Sequence, residues 1–307
     1  MKFNSLSEFM FYFRDDETCR KHLEQVVWNG QPTCPYCSSS KVYAFKDKRT
    51  YKCGAKECNK RFNILKGSIF ECSNISLQSW FIAIYLLTMN KKGVSSYQLA
   101  RDLDITQKTA WFLLHRIRKA LRSAPEGFNN IVEVDETYIG GKNKNRHWNK
   151  KKKHIQGRSV IDKIPVFGIL ERGGNVYSTK VDDVKGRSLK HVIFKYVKKG
   201  AHIMSDEWHA YKGLNFRYEH SVVEHGRYQY VNGNCYTNGL EGYWSLVKRS
   251  ILGIYHFISR KHTDSYCGEF DFRYNNRNAT KEDIFNSILF NGKNKRLSYK
   301  DLIFSVI

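Results

Sequence analysis

The sequence predicts an α+β protein of several domains, because three different patterns follow one another along its 307 residues. Two cysteine pairs near the N-terminus are typical of a zinc ribbon. A helical stretch follows them, and from about residue 128 strands alternate with helices, as in an α/β domain with a mixed sheet. A composition of 41% hydrophobic and 14% aromatic residues is sufficient for packed cores.

These patterns divide the chain into five predicted segments. They are an N-terminal helical segment (1–30), a zinc ribbon (31–72), a helix-turn-helix domain (73–125), an α/β domain (126–278) and a C-terminal helical tail (279–307). The tail is predicted to contain two short helices around a basic loop, and we assign no chemistry to it.

The composition favours a nucleic-acid partner. The chain has 52 Lys plus Arg against 29 Asp plus Glu, a formal charge of +23 and a pI of about 9.6. Such a surface displaces counterions from a phosphate backbone, although ribosomal, membrane-surface and heparin-binding proteins share this charge. The richest apolar run begins at Trp80 and ends after about ten residues, too few to span a bilayer, and the N-terminus lacks a signal-peptide pattern. We therefore expect a cytoplasmic protein without membrane association.

The cysteine spacing predicts a structural zinc site. Two residues separate Cys34 from Cys37, four separate Cys53 from Cys58, and fifteen lie between the pairs. A short hairpin brings such pairs together around one tetrahedral Zn²⁺ ion, with Gly54 expected to relax the second turn. Four structural or disulfide-bonded cysteines are the alternative, which a cytosolic location disfavours. Four thiolates leave no open position on the ion, so no chemistry is expected there.

The segment after the ribbon predicts a helix-turn-helix. Residues 76–89 form a mostly buried helix, Ser95 or Ser96 caps the next, residues 104–106 make a turn, and another helix begins at Gln107. This arrangement can place a basic helix in a DNA major groove, although a plain helical hairpin between two domains has the same pattern. The predicted outward side comprises Lys108, Thr109, His115, Arg116, Arg118 and Lys119. Of these, our candidate DNA contacts are Lys108, Thr109 and Arg116.

Three carboxylates in the α/β domain form a candidate metal site. Asp135 and Asp206 are predicted at the ends of strands, and Glu241 lies on a predicted helix. A strand with an Asp, a hairpin, a helix, a strand with a second Asp and a helix with a Glu is the element order of a ribonuclease H-like core. Like charges brought together repel one another unless cations lie between them, so the set predicts Mg²⁺ or Mn²⁺. Any one of these acids alone would be interpreted as a surface residue.

The helix of Glu241 is predicted to begin after Thr237 and to carry two stripes of side chains. The stripe predicted to pack contains Leu240, Trp244, Val247 and Ile251. The stripe predicted to face away contains Asn238, Glu241, Ser245 and Lys248. Lys248 follows Glu241 by seven residues, which is two helical turns. A carboxylate on a metal ion and a cation beside it can therefore serve the same phosphodiester.

A basic insertion separates the strand of Asp135 from the hairpin. Four consecutive lysines in it are too charged to pack, and we predict that they contact DNA: Lys150, Lys151, Lys152 and Lys153. A solvated charge run is the alternative, and the neighbouring Trp148 favours contact.

Seven ordered blocks of the sequence resemble the DDE transposases of bacterial insertion sequences, in particular the group with an N-terminal zinc ribbon and an integrase-like catalytic domain. The resemblance runs from Phe9 to Arg277. It rests on CPYC, FNILKGSIFECSNISLQSWFIAIYLL, VEVDETYIGGK, GRS with PVFGILERGG, SDEWHAYKGL, TNGLEGYWSLVKR and EFDFRYNNR.

The resemblance implies that residues 126–278 form a ribonuclease H-like transposase domain. Asp135 and Asp206 take the positions of the two catalytic aspartates. The third ligand falls in the TNGLEGYW block, where an Asn can stand in for the acid, so we predict Glu241 with Asn238 as its competitor. Lys248 matches the basic residue that follows the third acid. A further family position falls on His225, for which a structural or surface histidine is the alternative.

The predicted activity is metal-dependent cleavage and strand transfer at the terminal inverted repeats, which the ribbon and the helix-turn-helix recognise. Two Mg²⁺ or Mn²⁺ ions would be held by Asp135, which binds both, and by Asp206 and Glu241, which bind one each. The expected partners are double-stranded DNA of the repeats and of the target, and a second copy of the chain on DNA. The expected location is the bacterial cytoplasm, at the nucleoid. Two alternatives stay open, a catalytically inactive DNA-binding regulator derived from such a transposase and a ribonuclease H-like nuclease acting on RNA or hybrids.

Overall fold

The computed structural model describes residues 3–140, 147–151, 163–223 and 237–304. The chain divides into two units, Met1–Arg122 with Asn278–Ile307, and Ser123–Arg277. The helices are α1 (Leu6–Tyr12), α2 (Asp16–Trp28), α3 (Leu77–Met89), α4 (Ser96–Leu103), α5 (Gln107–Leu121), α6 (Gly186–Tyr196), α7 (Asn238–Ser250), α8 (Thr263–Asn275), α9 (Lys281–Asn291) and α10 (Tyr299–Phe304). The strands are β1 (Val42–Ala44), β2 (Tyr51–Cys53), β3 (Arg61–Phe62), β4 (Ile131–Gly140), β5 (Lys163–Glu171), β6 (Val176–Lys180), β7 (His202–Asp206) and β8 (Glu219–Val223). Within the described ranges, every helix is too short or too polar to cross a membrane.

A cluster of aromatic rings forms the core of the first unit and joins the two ends of the chain. Phe285 of α9 lies against Phe9, Phe13 and Phe81, with ring centroids 5.0, 5.5 and 5.0 Å apart. All four side chains are buried. Ring pairs at such distances contribute about 0.5–1.5 kcal/mol each beyond the area they bury. The C-terminal helix α9 is therefore part of the N-terminal core.

The helix, turn and helix predicted from residue 95 onwards are present. Ser95 caps α4 by accepting a hydrogen bond from the backbone N–H of Gln98. Asp104 adopts a left-handed φ of 51° in the turn. Thr106 then caps α5 by accepting from the N–H of Thr109. Each cap satisfies a backbone donor that the helix itself leaves unpaired.

The outward side predicted for α5 is wrong for three of its six residues, whereas Lys119 is exposed as predicted. His115, Arg116 and Arg118 are buried, with exposed fractions of 1, 3 and 1%. The guanidinium of Arg116 donates to the backbone carbonyl of Glu71 and lies 5.0 Å from the ring centroid of Trp80. The carbonyl and the aromatic face offset part of the cost of burying Arg116, although burial still lowers its pKa to about 10. Arg116 is therefore excluded as a DNA contact.

The second unit is built on a mixed five-stranded sheet with the order β6-β5-β4-β7-β8. β5 is antiparallel to β4 and β6 is antiparallel to β5, whereas β7 is parallel to β4 and β8 is parallel to β7. The predicted hairpin between β5 and β6 turns at Gly173, whose φ of 72° favours glycine. Val134 and Ile193 belong to the core on the α6 face of the sheet. Val166 and Leu240 belong to the core on the opposite face, under α7 and α8.

Side chains of α8 cover the exposed edge of the sheet. Asn275, Asp271 and Asp264 accept hydrogen bonds from the backbone N–H groups of residues 176, 178 and 180 of β6, at 2.7, 2.9 and 2.9 Å. These are the alternate donors of β6 that face away from β5. An uncovered edge of this kind is a site for unwanted strand pairing. The EFDFRYNNR block thus has a structural role at this edge.

Candidate active site and zinc ribbon

The register of the two central parallel strands brings Asp135 and Asp206 together. β4 and β7 pair Glu133 with Met204, so two residues further along each strand Asp135 and Asp206 occupy neighbouring positions on the same face of the sheet. Asp206 is the last residue of β7, as predicted, whereas Asp135 lies in the middle of the ten-residue strand β4 and not at its end. β4 continues beyond Asp135 because residues 136–140 also pair with β5.

The carboxylate of Asp135 is held by a tryptophan of the neighbouring helix. Trp244 Nε1 of α7 donates to Asp135 Oδ2 at 3.0 Å. Gly168 of β5 pairs with Asp135 of β4. The indole can lie close to the sheet because Gly168 has no side chain, and a Cβ at this position would be 2.6 Å from the Trp244 ring. The glycine of the PVFGIL segment therefore makes room for the side chain that orients the first aspartate.

Negative charges concentrate around Asp135. Burial, with the nearby carboxylates of Glu136 and Asp206, raises the pKa of Asp135 to about 8. Asp206 Oδ1 accepts a hydrogen bond from the backbone N–H of Trp208 at 3.0 Å. The buried hydroxyl of Tyr211 donates to Glu136 Oε2 at 2.7 Å. A carboxylate whose charge is this unfavourable in the protein alone is a strong candidate to bind a cation.

The helix α7 presents the two stripes that its sequence predicts. Leu240, Trp244, Val247 and Ile251 are buried, and Asn238, Glu241, Ser245 and Lys248 are exposed. Thr237 precedes the helix, but its hydroxyl donates to Glu241 Oε1 at 3.3 Å and makes no capping bond to the backbone. Glu241 and its competitor Asn238 thus both lie in the first turn of the helix that contacts Asp135 through Trp244.

Glu133 is a buried member of the site that the sequence did not reveal. It is 1% exposed and forms an ion pair with Arg172, with Nε of the arginine 3.0 Å from Oε1. Its other oxygen, Oε2, accepts from the backbone N–H of Leu240 at 2.9 Å. A Cβ on Gly239 would lie 2.9 Å from the same oxygen. Glu133 therefore fixes the N-terminus of α7 on the sheet, two residues from Asp135.

The four predicted zinc ligands converge on one point. In the part of the chain that the structure describes, Cys34, Cys37, Cys53 and Cys58 form a group of metal-binding side chains whose donor atoms all lie within 4.8 Å of one another. The Sγ atoms of Cys34 and Cys58 are 3.7 Å apart, and those of Cys37 and Cys53 are 3.5 Å apart. A tetrahedral Zn²⁺ with Zn–S bonds of about 2.3 Å places its sulfur atoms about 3.8 Å apart. The four residues therefore fit a structural zinc ion.

In the part of the chain that the structure describes, the carboxylate oxygens of Asp135, Asp206 and Glu241 do not all lie within 4.8 Å of one another, unlike the four cysteine sulfurs.

The predicted basic loop is described only in part. Trp148 is 86% exposed in a short 3-10 helix, Trp148–Lys150, and Lys151 is exposed beside it. The candidate residues Lys152, Lys153 and His225 lie outside the described residues.

Comparison with known proteins gives matches for the zinc ribbon and for the α/β domain. A family model described as an ISXO2-like transposase domain matches residues 127–275, and one described as a transposase zinc-ribbon domain matches residues 14–61. The chain is also similar to an uncharacterized protein in transposable element ISH50 of Halobacterium salinarum. The two are 27% identical over an alignment of 263 positions, and the match covers 82% of this chain and 88% of that relative. The chain therefore carries the two domains of an insertion-sequence DDE transposase, a zinc ribbon followed by a transposase domain.

Proposed function

We propose that this transposase binds the terminal inverted repeats of its insertion sequence and catalyses metal-dependent cleavage and strand transfer at the element ends. The observation that carries the proposal is the pair Asp135 and Asp206, side by side on adjacent parallel strands, with the pKa of Asp135 raised to about 8. A catalytic domain that had lost its chemistry would have no need to retain so unfavourable a concentration of charge.

The carboxylates would hold two Mg²⁺ or Mn²⁺ ions, Asp135 binding both and Asp206 and Glu241 one each. Such ions supply an activated attacking oxygen and stabilise the leaving oxygen of a phosphodiester. Trp244 orients Asp135, and the exposed cation of Lys248 lies two helical turns beyond Glu241, where it attracts a DNA phosphate. Hydrolysis would free a 3′-hydroxyl at the element end. Attack by that hydroxyl on a phosphodiester of the target would form the new bond and release a 3′-hydroxyl of the target strand.

The DNA contacts that we propose are Lys108, Thr109 and the lysines from Lys150 to Lys153. Lys108 is exposed in the first turn of α5, where its Nζ lies 5.0 Å from the ring centroid of Tyr299. Thr109 is half-buried beside it. With Arg116 buried, the two remaining candidates lie in the N-terminal turn of α5, and recognition helices contact base edges from that end. The chain would act on chromosomal DNA as a homo-oligomer, because two element ends need two active sites.

Replacing Asp206 with asparagine tests the proposed chemistry. We expect the wild-type protein to cleave duplexes that carry its element ends in Mg²⁺ or Mn²⁺, and Asp206→Asn to bind the same duplexes but to lose cleavage by about 10³-fold, because a metal ligand loses its charge. Gel analysis of nicked and joined products measures both steps. Unchanged cleavage by the variant contradicts the mechanism. Tight binding without cleavage by the wild-type protein indicates the inactive regulator, and cleavage confined to RNA or hybrids indicates the nuclease.

The third ligand is tested by two substitutions three residues apart. We expect Glu241→Gln to lose cleavage by about 10²-fold or more and Asn238→Ala to change it by less than about tenfold, because a carboxylate binds Mg²⁺ more strongly than an amide does. Both side chains are exposed in the first turn of α7, so neither change disturbs the core. The reverse order of effects would assign the site to Asn238.

A further inference from the structure

The zinc ribbon has one covered and one open face. β1, β2 and β3 form an antiparallel sheet in which Tyr51 pairs with Phe62. Both rings are buried and pack against Trp28 of α2, with centroids 5.0 and 6.2 Å from that ring. Because side chains alternate across a strand, the residues between them point the other way. That other side is called the open face below.

A row of side chains crosses the open face. The register pairs Tyr43 with Lys52 and Lys52 with Arg61, so one residue from each strand stands in line. Tyr43 is 58% exposed, Arg61 is exposed and Lys52 is half-buried. Neighbouring strands are about 4.8 Å apart, so the row spans about 10 Å. A cation at each of two positions and a phenol at the third therefore face solvent at fixed spacing.

Local packing holds these side chains in place. Gly54 was expected to relax the turn of the second cysteine pair, but it has no positive φ. A Cβ at Gly54 would instead lie 2.7 Å from Cε2 of Tyr43 and 2.9 Å from Cγ of Lys41. The glycine thus lets both side chains lie close against the backbone. The guanidinium of Arg61 stacks 5.0 Å from the ring centroid of Phe45, which lies on the same face.

The ribbon sheet and its turns carry a large excess of positive charge. Positions 41 to 61 contain eight Lys or Arg and two acidic residues. No ion pair involves Lys41, Lys52 or Arg61 in the described ranges. A cluster of ordered cations without acidic partners is costly for the isolated protein, and a polyanion relieves that cost. Hydroxyl and guanidinium groups are both common donors to DNA phosphates.

We propose that the open face of the ribbon, formed by Lys41, Tyr43, Lys52 and Arg61, contacts the phosphate backbone of duplex DNA. The inference rests on the proposed function, which places the chain on its element ends, and it assigns the contact to residues outside the helix-turn-helix. The rigid, zinc-held sheet favours a duplex, whose phosphates are regularly spaced, over a single strand that would have to be ordered on binding. The role is to position the protein on the DNA, without reading its sequence.

Binding measured against salt concentration tests this surface. We expect the double variant Lys52→Gln with Arg61→Gln to weaken binding of the full-length, zinc-loaded protein to its end duplex by about tenfold at 150 mM salt. The slope of log K against log salt should become shallower by about 1.8, because each cation at a phosphate contributes about 0.9. Fluorescence anisotropy gives both quantities. The exchange Lys52→Arg with Arg61→Lys should preserve the slope, because it keeps both charges.

Matched controls separate this surface from net charge. The variant Arg14→Gln with Lys21→Gln loses the same charge in the same unit from side chains that are 80 and 70% exposed. We expect it to keep the wild-type slope, and all variants to retain one zinc per chain. Equal slopes for the open-face and control variants would overturn the inference, as would an effect confined to single-stranded DNA. Equal slopes with intact wild-type binding would contradict only the open-face contact. Failure of the wild-type protein to bind its end duplex would contradict the proposed function itself.

Discussion

Replacing Asp135 with asparagine should abolish cleavage and strand transfer while duplex binding persists. Asparagine keeps the shape of the side chain and an oxygen that accepts the hydrogen bond from Trp244 Nε1. It removes the charge of the carboxylate that we place on both metal ions. A loss of about 10³-fold or more is expected, equivalent to about 4 kcal/mol of transition-state stabilisation. Single-turnover cleavage of end duplexes measures it, and Asp182→Asn, at an exposed position of the same unit, is the matched control.

The same variant should change how stability depends on pH. The pKa of Asp135 is raised to about 8 from its usual value near 3.8, so the proton binds the folded unit more tightly than the unfolded chain. The contribution of this group to stability is therefore present below about pH 4, declines as pH rises and is lost above about pH 8. In EDTA, the free energy of unfolding of Asp135→Asn should decline less over this range than that of the wild-type protein.

The response of the melting temperature to divalent cations also tests the role of Asp135. A cation competes with the proton for Asp135, so Mg²⁺ or Mn²⁺ should raise the melting temperature of the wild-type protein at pH 8 and have little effect at pH 5. Asp135→Asn should show a much smaller metal response at pH 8. Full cleavage by the variant, or an equal metal response in both proteins, would remove Asp135 from the metal site.

The helix α7 was predictable from sequence because its own periodicity determines its two faces. Leu240, Trp244 and Val247 repeat at helical spacing and are buried, and Glu241 and Lys248 fall on the other side. The alternation around Asp135 likewise gave the correct face of its strand. These features depend on neighbours within about two helical turns, which is the range over which a pattern carries information.

The helix α5 was partly mispredicted because its environment depends on distant residues. The helix-turn-helix interpretation assumes one exposed side, and cationic residues were assigned to it. Arg116 instead donates to a carbonyl 45 residues earlier in the chain. The spacing of residues along the helix does not distinguish an arginine that donates to such a carbonyl from one that is exposed to solvent. Only Lys108 and Thr109, in the first turn, remain of the three candidate contacts on this helix.

The role of Glu133 was also missed because it depends on a residue distant in the sequence, although Glu133 lies two residues before a predicted catalytic aspartate. Its hydrogen bond to the N–H of Leu240 links positions 107 residues apart. Alternation along a strand puts Glu133 and Asp135 on one face of β4, but the helix that covers Glu133 is known only from the fold. A carboxylate at a helix N-terminus accepts from backbone donors and interacts favourably with the helix dipole.

Replacing Glu133 with glutamine should therefore raise the metal requirement of cleavage. Its amide can accept from only one of Arg172 and Leu240 and presents a donor to the other, so we expect a loss of about 1–3 kcal/mol in stability. The first turn of α7, with Asn238 and Glu241, would be less firmly held. The Mg²⁺ concentration for half-maximal cleavage should rise about 10- to 100-fold, as is typical when the support of a metal ligand is removed. The rate at saturating Mg²⁺ should largely recover.

Glu269→Gln is the control that separates positioning from stability. Glu269 is a fully buried glutamate of the same unit, and it forms an ion pair with Arg273 on α8. Its substitution should destabilise the unit by a similar amount, because it too leaves a half-buried arginine without its charged partner. It should not change the metal requirement, since its carboxylate accepts from Tyr255 and pairs with Arg273, whereas that of Glu133 accepts from the first turn of α7. Equal shifts in metal requirement for the two variants would show that Glu133 acts only through the stability of the unit, and a shift confined to Glu133→Gln would establish it as the residue that positions the third metal ligand.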